Sequence, residues 1–280
     1  MKIAWVTDST VFLDEALQGH PDIYTIPMLI MFEGEEYRDG VDLTREEFFL
    51  KLEDSKSLPT SSQPSVGTFL ELYESLRNQY DAIISVHVSS KLSGTYSTST
   101  QAAKMVDFPI EVIDSKILSL PMGKMIRRGI DLQASGESFE TIVHKVREMA
   151  DDHETYVMIG SLEQLHKGGR MSGAQFFIGS ALKIKPILAL ENGELQTFEK
   201  IRTDKKAEQR MIDLFKEALT NNPSIKEVSI LYGRIPDLAN DWKNKLKAFN
   251  QSLKIDVCPL GSVIGVHAGE KTIGISWLTK

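Results

Sequence analysis

The sequence predicts an α/β protein in two halves, a doubly wound half built on a parallel sheet followed by a half with a mixed sheet. Three observations carry this prediction. Apolar runs of strand length alternate with amphipathic stretches of helix length along the whole chain, which is the pattern of βα units. No internal repeat, charge block or low-complexity linker interrupts that alternation, so the halves are expected to pack without a flexible tether. After Gly160 the character changes to a glycine-stopped helix and an Asn-Gly hairpin signal. The expected domains are therefore residues 1–160 and 161–280.

Ile3-Ala4-Trp5-Val6 reads as a buried first strand ending at Thr7-Asp8-Ser9-Thr10. Met28 to Phe32 is a second apolar run, closed by the turn signal Glu33-Gly34-Glu35. Thr44-Arg45-Glu46-Glu47 is a capping box: the hydroxyl can accept from the amide three residues on while the carboxylate reaches back. With Leu43 and Phe48 as a hydrophobic staple, it predicts a helix over 44–53. Pro59-Thr60-Ser61-Ser62-Gln63-Pro64-Ser65 continues neither element, because two prolines remove donors and the hydroxyls compete for the backbone. Leu70, Leu72, Tyr73 and Leu76 mark a helix, Ala82 to Val86 a buried strand, Tyr96 to Val106 a helix and Ile110 to Ile113 a strand. Helices over 121–134 and 138–150 precede the strand Tyr156 to Ile159. In the second half, the helix Leu162 to Arg170 is stopped by glycine. Strands 184–190 and 195–201 flank Glu191-Asn192-Gly193-Glu194. A helix over 204–219, a strand over 227–231, a helix over 237–249 and two terminal strands complete the reading.

At 280 residues, 41% hydrophobic and 25% charged, the chain has the make-up of an ordinary folded protein. Area scaling for this length gives roughly 12,000 Å² folded against about 45,000 Å² unfolded, so the core needs neither disulfide nor metal. A net charge of −7 argues against nucleic-acid binding, which requires a surplus of Lys and Arg. The single cysteine, Cys258, excludes an intrachain disulfide framework and cysteine-cluster metal sites. The N-terminus has no long apolar segment and no apolar run approaches about 18 residues, which leads us to expect a cytoplasmic chain without stable membrane insertion.

In open α/β sheets ligands bind at the carboxyl ends of the strands. Three loops at such ends are rich in hydroxyls: 7–10, 59–65 and 89–95. Thr7, Ser9, Thr10, Thr60, Ser61, Ser62, Ser65, Ser89, Ser90, Ser93 and Thr95 could converge on one crevice. Hydroxyls and helix-N-terminal amides are neutral donors suited to a carboxylate or a phosphate. Taken singly, each reads better as a helix cap or turn residue, and it is the coincidence of two such loops after successive strands that brings the site reading level with that one. No Gly-x-Gly-x-x-Gly follows the first strand and no Walker-type loop exists, so nucleotide binding has no sequence support. Leu92-Ser93-Gly94-Thr95 lacks the glycine two residues before the serine that a nucleophile elbow needs.

A serine-dependent acyl hydrolase would have to combine Ser93 with His267 and with Asp8 or Asp114. A carrier or sensor of a small phosphorylated metabolite would use the hydroxyl loops as a phosphate cradle. The histidines at 20, 87, 144, 153, 166 and 267 have no paired metal-ligand spacing, and most read as surface or cap residues. His267 differs, lying in the apolar stretch Gly265-Val266-His267-Ala268-Gly269. Arg170, Lys183, Lys185 and Arg202 place cations in the second half, and Met28, Met31, Phe32, Phe176, Phe177 and Ile178 could line a cavity or pack a core.

These segments together resemble the DegV family of bacterial fatty-acid-binding proteins. The matching stretches are Thr7-Asp8-Ser9-Thr10, Pro59 to Ser65, Ser89 to Tyr96, Asp114-Ser115, Leu162 to Gly173, Lys185-Pro186-Ile187-Leu188 and Gly265-Val266-His267. They span nearly the whole chain in the expected order. The resemblance implies a Rossmann-like domain and a mixed-sheet, two-layer α/β domain that together enclose one long-chain fatty acid, such as palmitate, in an apolar tunnel. It implies a role in fatty-acid metabolism or lipid transport, with no cofactor and no catalysis by this chain, the acid being presented to a separate ATP-dependent fatty-acid kinase subunit. By motif, the carboxylate falls to Ser61 and Ser93 with His267 in the supporting network. Thr60, Ser62, Gly94 and Thr95 are supporting loop residues, and Arg170 and Arg202 the kinase contacts. Two departures stand out. Ser61 replaces the threonine of many members, losing the methyl that restricts the rotamer. After His267, Gly269-Glu270-Lys271 stands where Gly-Pro-Gly is usual, which bears on the rigidity of the terminal loop.

Overall fold

A computed structural model describes residues 1–171 and 184–279. Phe176, Phe177, Ile178 and Lys183 lie outside the described residues. The chain divides into two compact units, Met1–Asp151 and Asp152–Lys280.

The first unit runs β1 (Ile3–Asp8), β2 (Ile23–Ile26), β3 (Leu29–Phe32), β4 (Glu35–Arg38), α1 (Arg45–Asp54), β5 (Thr60–Ser62), α2 (Val66–Leu76), β6 (Ala82–His87), α3 (Thr95–Ala103), β7 (Ile110–Asp114), α4 (Ser119–Ala134) and α5 (Phe139–Met149). Its main sheet is parallel, in the order β2-β1-β6-β7. The central strands β1 and β6 are buried at every position, as a parallel sheet covered on both faces requires. Ala4, Val6 and Ile83 face one core with Phe69, Tyr73 and Leu76 of α2 and Ala102 of α3. On the opposite face Trp5 packs against α4 at Gly129. The capping box forms as read: Thr44 Oγ1 accepts from the Glu47 amide, and the Glu47 carboxylate accepts from the Thr44 amide at 2.8 Å.

A small antiparallel sheet, β4-β3-β5, stands beside the parallel one. It pairs Ser61 with Ile30 and Ser62 with Leu29. The hydroxyl-rich segment 59–65 thus contains a three-residue strand, where the prolines led us to expect no regular element.

The second unit runs β8 (His153–Met158), α6 (Leu162–Lys167), β9 (Lys185–Glu191), β10 (Glu194–Ile201), α7 (Asp204–Asn221), β11 (Glu227–Tyr232), α8 (Pro236–Phe249), β12 (Lys254–Pro259), α9 (Ser262–Ala268) and β13 (Ile273–Leu278). Its sheet has the order β10-β9-β8-β13-β11-β12 and is mixed, with β11 and β12 parallel and every other pair antiparallel. The β9–β10 hairpin turns at Asn192 (φ 49°) and Gly193 (φ 82°), both in the left-handed region that an Asn-Gly pair tolerates. Phe215, Trp242, Leu246, Ile273, Ile275 and Trp277 form the center of this unit's core.

One expectation needs correction. The strand expected over Tyr156 to Ile159 at the end of the first half is β8 (His153–Met158), which pairs with β13 and β9 and belongs to the second unit. The units accordingly meet at Asp151/Asp152 and not near residue 160. The compositional change after Gly160 marks the end of that strand, whereas its membership is decided by partners 29 or more residues later in the chain, such as Ile187 opposite Met158.

Candidate functional site

In the first sheet, β1 has β2 on one side and β6 on the other, so strand order reverses between β1 and β6, where a ligand crevice is expected at the carboxyl ends. Those two ends carry Asp8 and His87. Both are fully buried. One carboxylate oxygen of Asp8 accepts from the Thr10 amide (3.1 Å) and hydroxyl (2.6 Å). The other accepts from the Val88 amide (3.0 Å) and lies 3.0 Å from His87 Nδ1. Burial alone would raise the Asp8 carboxyl; the hydrogen bond and charge of His87, then Thr10 and Val88, outweigh it and hold the group below the usual carboxylate range.

The chain of contacts continues inward. His87 Nε2 lies 2.7 Å from Ser85 Oγ, the Tyr73 phenol donates to Ser85 at 2.8 Å, and Ser99 Oγ is 2.6 Å from the phenol. Burial pushes Tyr73 up to about 12, so the phenol stays a donor. Ser99, Tyr73, Ser85 and His87 thus form one continuous buried hydrogen-bonded chain that ends on Asp8. This Asp-His-Ser array has a triad's connectivity, but all three residues are fully buried among Phe69, Tyr73 and the sheet. It fixes the ends of β1 and β6, and with them the loops that follow.

The hydroxyl loops divide into those that brace and those that can bind. In loop 7–10, Thr10 serves Asp8, while Ser9 donates to Asp39 at 2.7 Å and accepts from the Met28 amide at 3.1 Å. Ser65 is the N-cap of α2, accepting from the Thr68 amide. Ser89 accepts from the Lys91 amide, and the Ser90 amide donates to Asp114. Thr7 is fully buried in β1, while Ser61 is half-buried on β5 and Ser93 is half-buried in front of α3. The two loops that carry them come together. A Cβ on Gly94 would lie 2.9 Å from the Gln63 amide nitrogen, so Gly94 is the residue that lets the Gln63 side chain close over the start of α3. Ser93 Oγ lies 2.8 Å from Thr95 Oγ1, and the Thr95 amide donates to Ser93 at 3.3 Å. Helix α3 itself has no side-chain cap at Gly94, so its first amides and this hydroxyl pair form a neutral, donor-rich corner. Thr60 and Ser62 flank Ser61 and are exposed.

In the second unit, His267 lies in α9, a helix missed in sequence because Gly265 and two valines depress helix propensity. Its ring packs on α6: a Cβ on Gly168 would lie 2.4 Å from His267 Nδ1. Gly168 therefore serves close approach, while Gly169 (φ 77°) makes the left-handed turn that ends α6. Gln164 ties the helices together, donating to the carbonyl of Val266 at 3.2 Å. Burial, and then the nearby positive charge of Arg170, lower His267 to about 4. Arg170 is itself half-buried, and its guanidinium donates to the Gly168 carbonyl. Arg202 is exposed just beyond β10. The terminal loop is held without proline: Arg234's amide donates to the Glu270 carbonyl at 2.6 Å and its guanidinium lies 3.7 Å from the Glu270 carboxylate.

The His267 shift has a consequence for stability. The folded value lies below the unfolded one, so the unfolded chain binds more protons between pH ~6.5 and ~4. Stability is expected to fall as the pH drops through that window, by roughly 2 kcal/mol after allowance for partial exposure. Urea titrations at pH 7 and pH 4.5 check this; His267→Gln, which cannot take up the proton, should flatten the profile over that interval.

The acids available to a hydrolase are committed elsewhere, Asp8 to His87 and Asp114 to the amides of Ser90 and Lys116. Sequence reading missed His87 as a structural residue. The signal was there, since Ser85 and His87 alternate on one face of an otherwise apolar strand. Among the described residues no cluster of three or more His, Cys, Asp or Glu is placed to hold a metal, and no helix is long and apolar enough to cross a membrane.

Comparison with known proteins agrees with this fold over the whole chain. The DegV family model matches residues 2–280. Protein DegV of Bacillus subtilis is 36% identical over 282 residues, covering 100% of both chains. The crystal structure of the Bacillus subtilis DegV, described as a fatty acid binding protein, superposes with a TM-score of 0.88 at 37% identity, with 100% of each chain covered. A fatty acid binding DegV family protein from Streptococcus agalactiae superposes with a TM-score of 0.92 at 30% identity, covering 100% of this chain and 99% of its own. The chain belongs to the DegV family.

Proposed function

We propose that this protein binds one long-chain fatty acid, such as palmitate, and holds its carboxylate at Ser61 and Ser93, with His267 in the supporting network. The observation that carries the reading is the meeting of the 59–65 and 89–95 loops at Gln63 and Gly94, with the Ser93–Thr95 hydroxyl pair at the start of α3. The fatty acid binding described for the Bacillus subtilis and Streptococcus agalactiae relatives supports it.

The energetics are consistent. About 14 methylenes at roughly 0.8 kcal/mol each let the tail contribute on the order of 11 kcal/mol before association costs. The polar end chiefly sets orientation. A carboxylate leaving water must be hydrogen-bonded, and neutral hydroxyls satisfy it without the strong hold of a guanidinium fork. That weaker hold suits a carrier whose ligand must next react. We further propose that the acid is handed to a separate fatty-acid kinase subunit that uses ATP to form the acyl phosphate, with Arg170 and Arg202 as contacts.

Organic extraction of the purified protein with lipid identification tests the ligand, and recovery of a phosphorylated metabolite in place of a C16–C18 acid would sink the reading. Ser93→Ala should weaken fatty-acid binding by about 10- to 100-fold, the value of one hydrogen bond to a charged group. Undiminished affinity in that variant would remove Ser93 from the site. Acyl-phosphate formation on mixing with a kinase catalytic subunit and ATP tests the transfer; Arg202→Glu should slow it with fatty-acid affinity unchanged.

A further inference from the structure

We propose that Met28 is a positioning residue for acid recognition: its sulfur is a weak acceptor that holds the Thr95 proton and gives it up when Ser93 donates to a carboxylate. The inference rests on the reading of Ser93 as the carboxylate donor. Thr95 is fully buried, and its hydroxyl has two neighbors, Ser93 Oγ at 2.8 Å and Met28 Sδ at 3.3 Å. A thioether carries no proton, so the Thr95 hydroxyl is the donor to sulfur. Having one proton, Thr95 must then accept from Ser93. The relay runs Ser93 to Thr95 to Met28.

In that direction the Ser93 proton points away from any incoming anion. A carboxylate brings no proton of its own and can be bound by Ser93 only if the relay reverses, with Thr95 donating to Ser93 Oγ and Ser93 donating to the acid. No bond to hydrogen is transferred between atoms; two hydroxyls rotate, and the O–H···S contact is exchanged for O–H···O. The cost of reversal is the strength of the bond to Met28. Sulfur makes that cost small, where an oxygen acceptor would hold the Thr95 proton firmly.

The structure places Met28 with care. Its amide donates to Ser9 Oγ at 3.1 Å and its carbonyl accepts from the Asp39 amide at 2.9 Å, while Ser9 in turn donates to the Asp39 carboxylate at 2.7 Å. The side chain is buried, and the next residues, Leu29 and Ile30, pair with Ser62 and Ser61. Met28 thus touches the Ser93–Thr95 pair through its sulfur and opens the strand that pairs with Ser61.

The test compares hexadecanoic acid with hexadecanol in the full-length protein, by displacement of a fluorescent fatty-acid probe. The alcohol can donate its own proton to Ser93 Oγ, so it needs no reversal. Met28→Gln places a strong oxygen acceptor at similar length and should weaken acid binding about tenfold, with alcohol binding changed less than about twofold. Met28→Leu removes the acceptor and should leave acid binding unchanged or tighten it by up to about threefold. Equal loss of acid and alcohol in M28Q, or no loss of acid, would overturn the relay. If M28Q does not fold, M28L decides: weakening of the acid by more than about threefold relative to the alcohol overturns the relay on its own. Failure of the unmodified protein to bind the acid would instead overturn the functional reading on which the relay rests.

Discussion

Asp8→Ala is expected to lower stability by about 3–5 kcal/mol at pH 7, the cost of removing one partner from a buried charged network. Four donors converge on that carboxylate: the amides of Thr10 and Val88, the Thr10 hydroxyl and His87 Nδ1. Alanine leaves them facing a cavity too enclosed for each to regain water. Asp8→Asn should fall between wild type and alanine. One oxygen remains to serve Thr10, but the amide nitrogen then opposes the Val88 N–H, even if His87 changes tautomer to accept from it. The pH dependence identifies the cause. Because the folded Asp8 lies below its unfolded value, its contribution is fully present above about pH 4 and is lost as the pH falls through the folded value. The gap between wild type and Asp8→Ala, read from urea midpoints at pH 7 and pH 3, should narrow at the lower pH. A gap that stays constant would mean that cavity formation, not the ionised carboxylate, accounts for the loss. Fatty-acid affinity should fall as well, since the same carboxylate holds the start of the loop that leads to Ser93.

The consequence for reading such sequences is that local signals and non-local ones separate cleanly. Signals complete within a few residues were legible: the Thr44–Glu47 box, the Asn192-Gly193 turn, and the buried strands that open with the apolar runs at Ile3 and Ala82. Elements held only by distant partners were not. β2 and β5, at 4 and 3 residues, carry too little pattern to stand alone and exist because β1 and β3 pair with them. The turn signal Glu33-Gly34-Glu35 does not reveal β4, whose Glu35 and Glu36 form a strand only because Phe32 and Met31 pair with them. The helix around His267 forms against propensity because Gln164 and Gly168 receive it. The site behaved the same way. The hydroxyl loops were visible as composition, but which hydroxyls cap, which brace Asp8 and which remain for a ligand depends on pairings that no spacing encodes. In composition Ser9 and Thr10 are the equals of Ser93, yet both are committed to buried carboxylates.

The same lesson applies with opposite sign at two glycines in helices, where propensity alone makes one forecast and packing another. Substituting alanine for a helical glycine should stabilise by about 1 kcal/mol through reduced backbone freedom. Gly67, in α2, is exposed, and a Cβ there would meet nothing nearer than Ser65 Oγ at 3.5 Å; Gly67→Ala is expected to raise stability by roughly 0.5 kcal/mol or more. Gly129, in α4, should do the reverse. Its Cβ would lie 1.9 Å from the Cη2 atom of Trp5 and 2.6 Å from Cζ3. The indole cannot step aside. It is fully buried, and its Nε1 donates at 3.1 Å to Gln133, one turn further along the same helix. Either α4 lifts from β1 or the ring leaves its rotamer and breaks that bond, and overpacking of this kind costs about 1–3 kcal/mol or more. The contact is far inside van der Waals range, so we expect the upper end, a net loss of about 3 kcal/mol in Gly129→Ala after the propensity gain. Denaturant unfolding measures it. Pairing Gly129→Ala with Trp5→Phe, which shortens the ring, should recover part of the loss beyond additivity. Strict additivity of the two changes, or a stabilised Gly129→Ala, would show that the close approach of β1 and α4 does not constrain this fold.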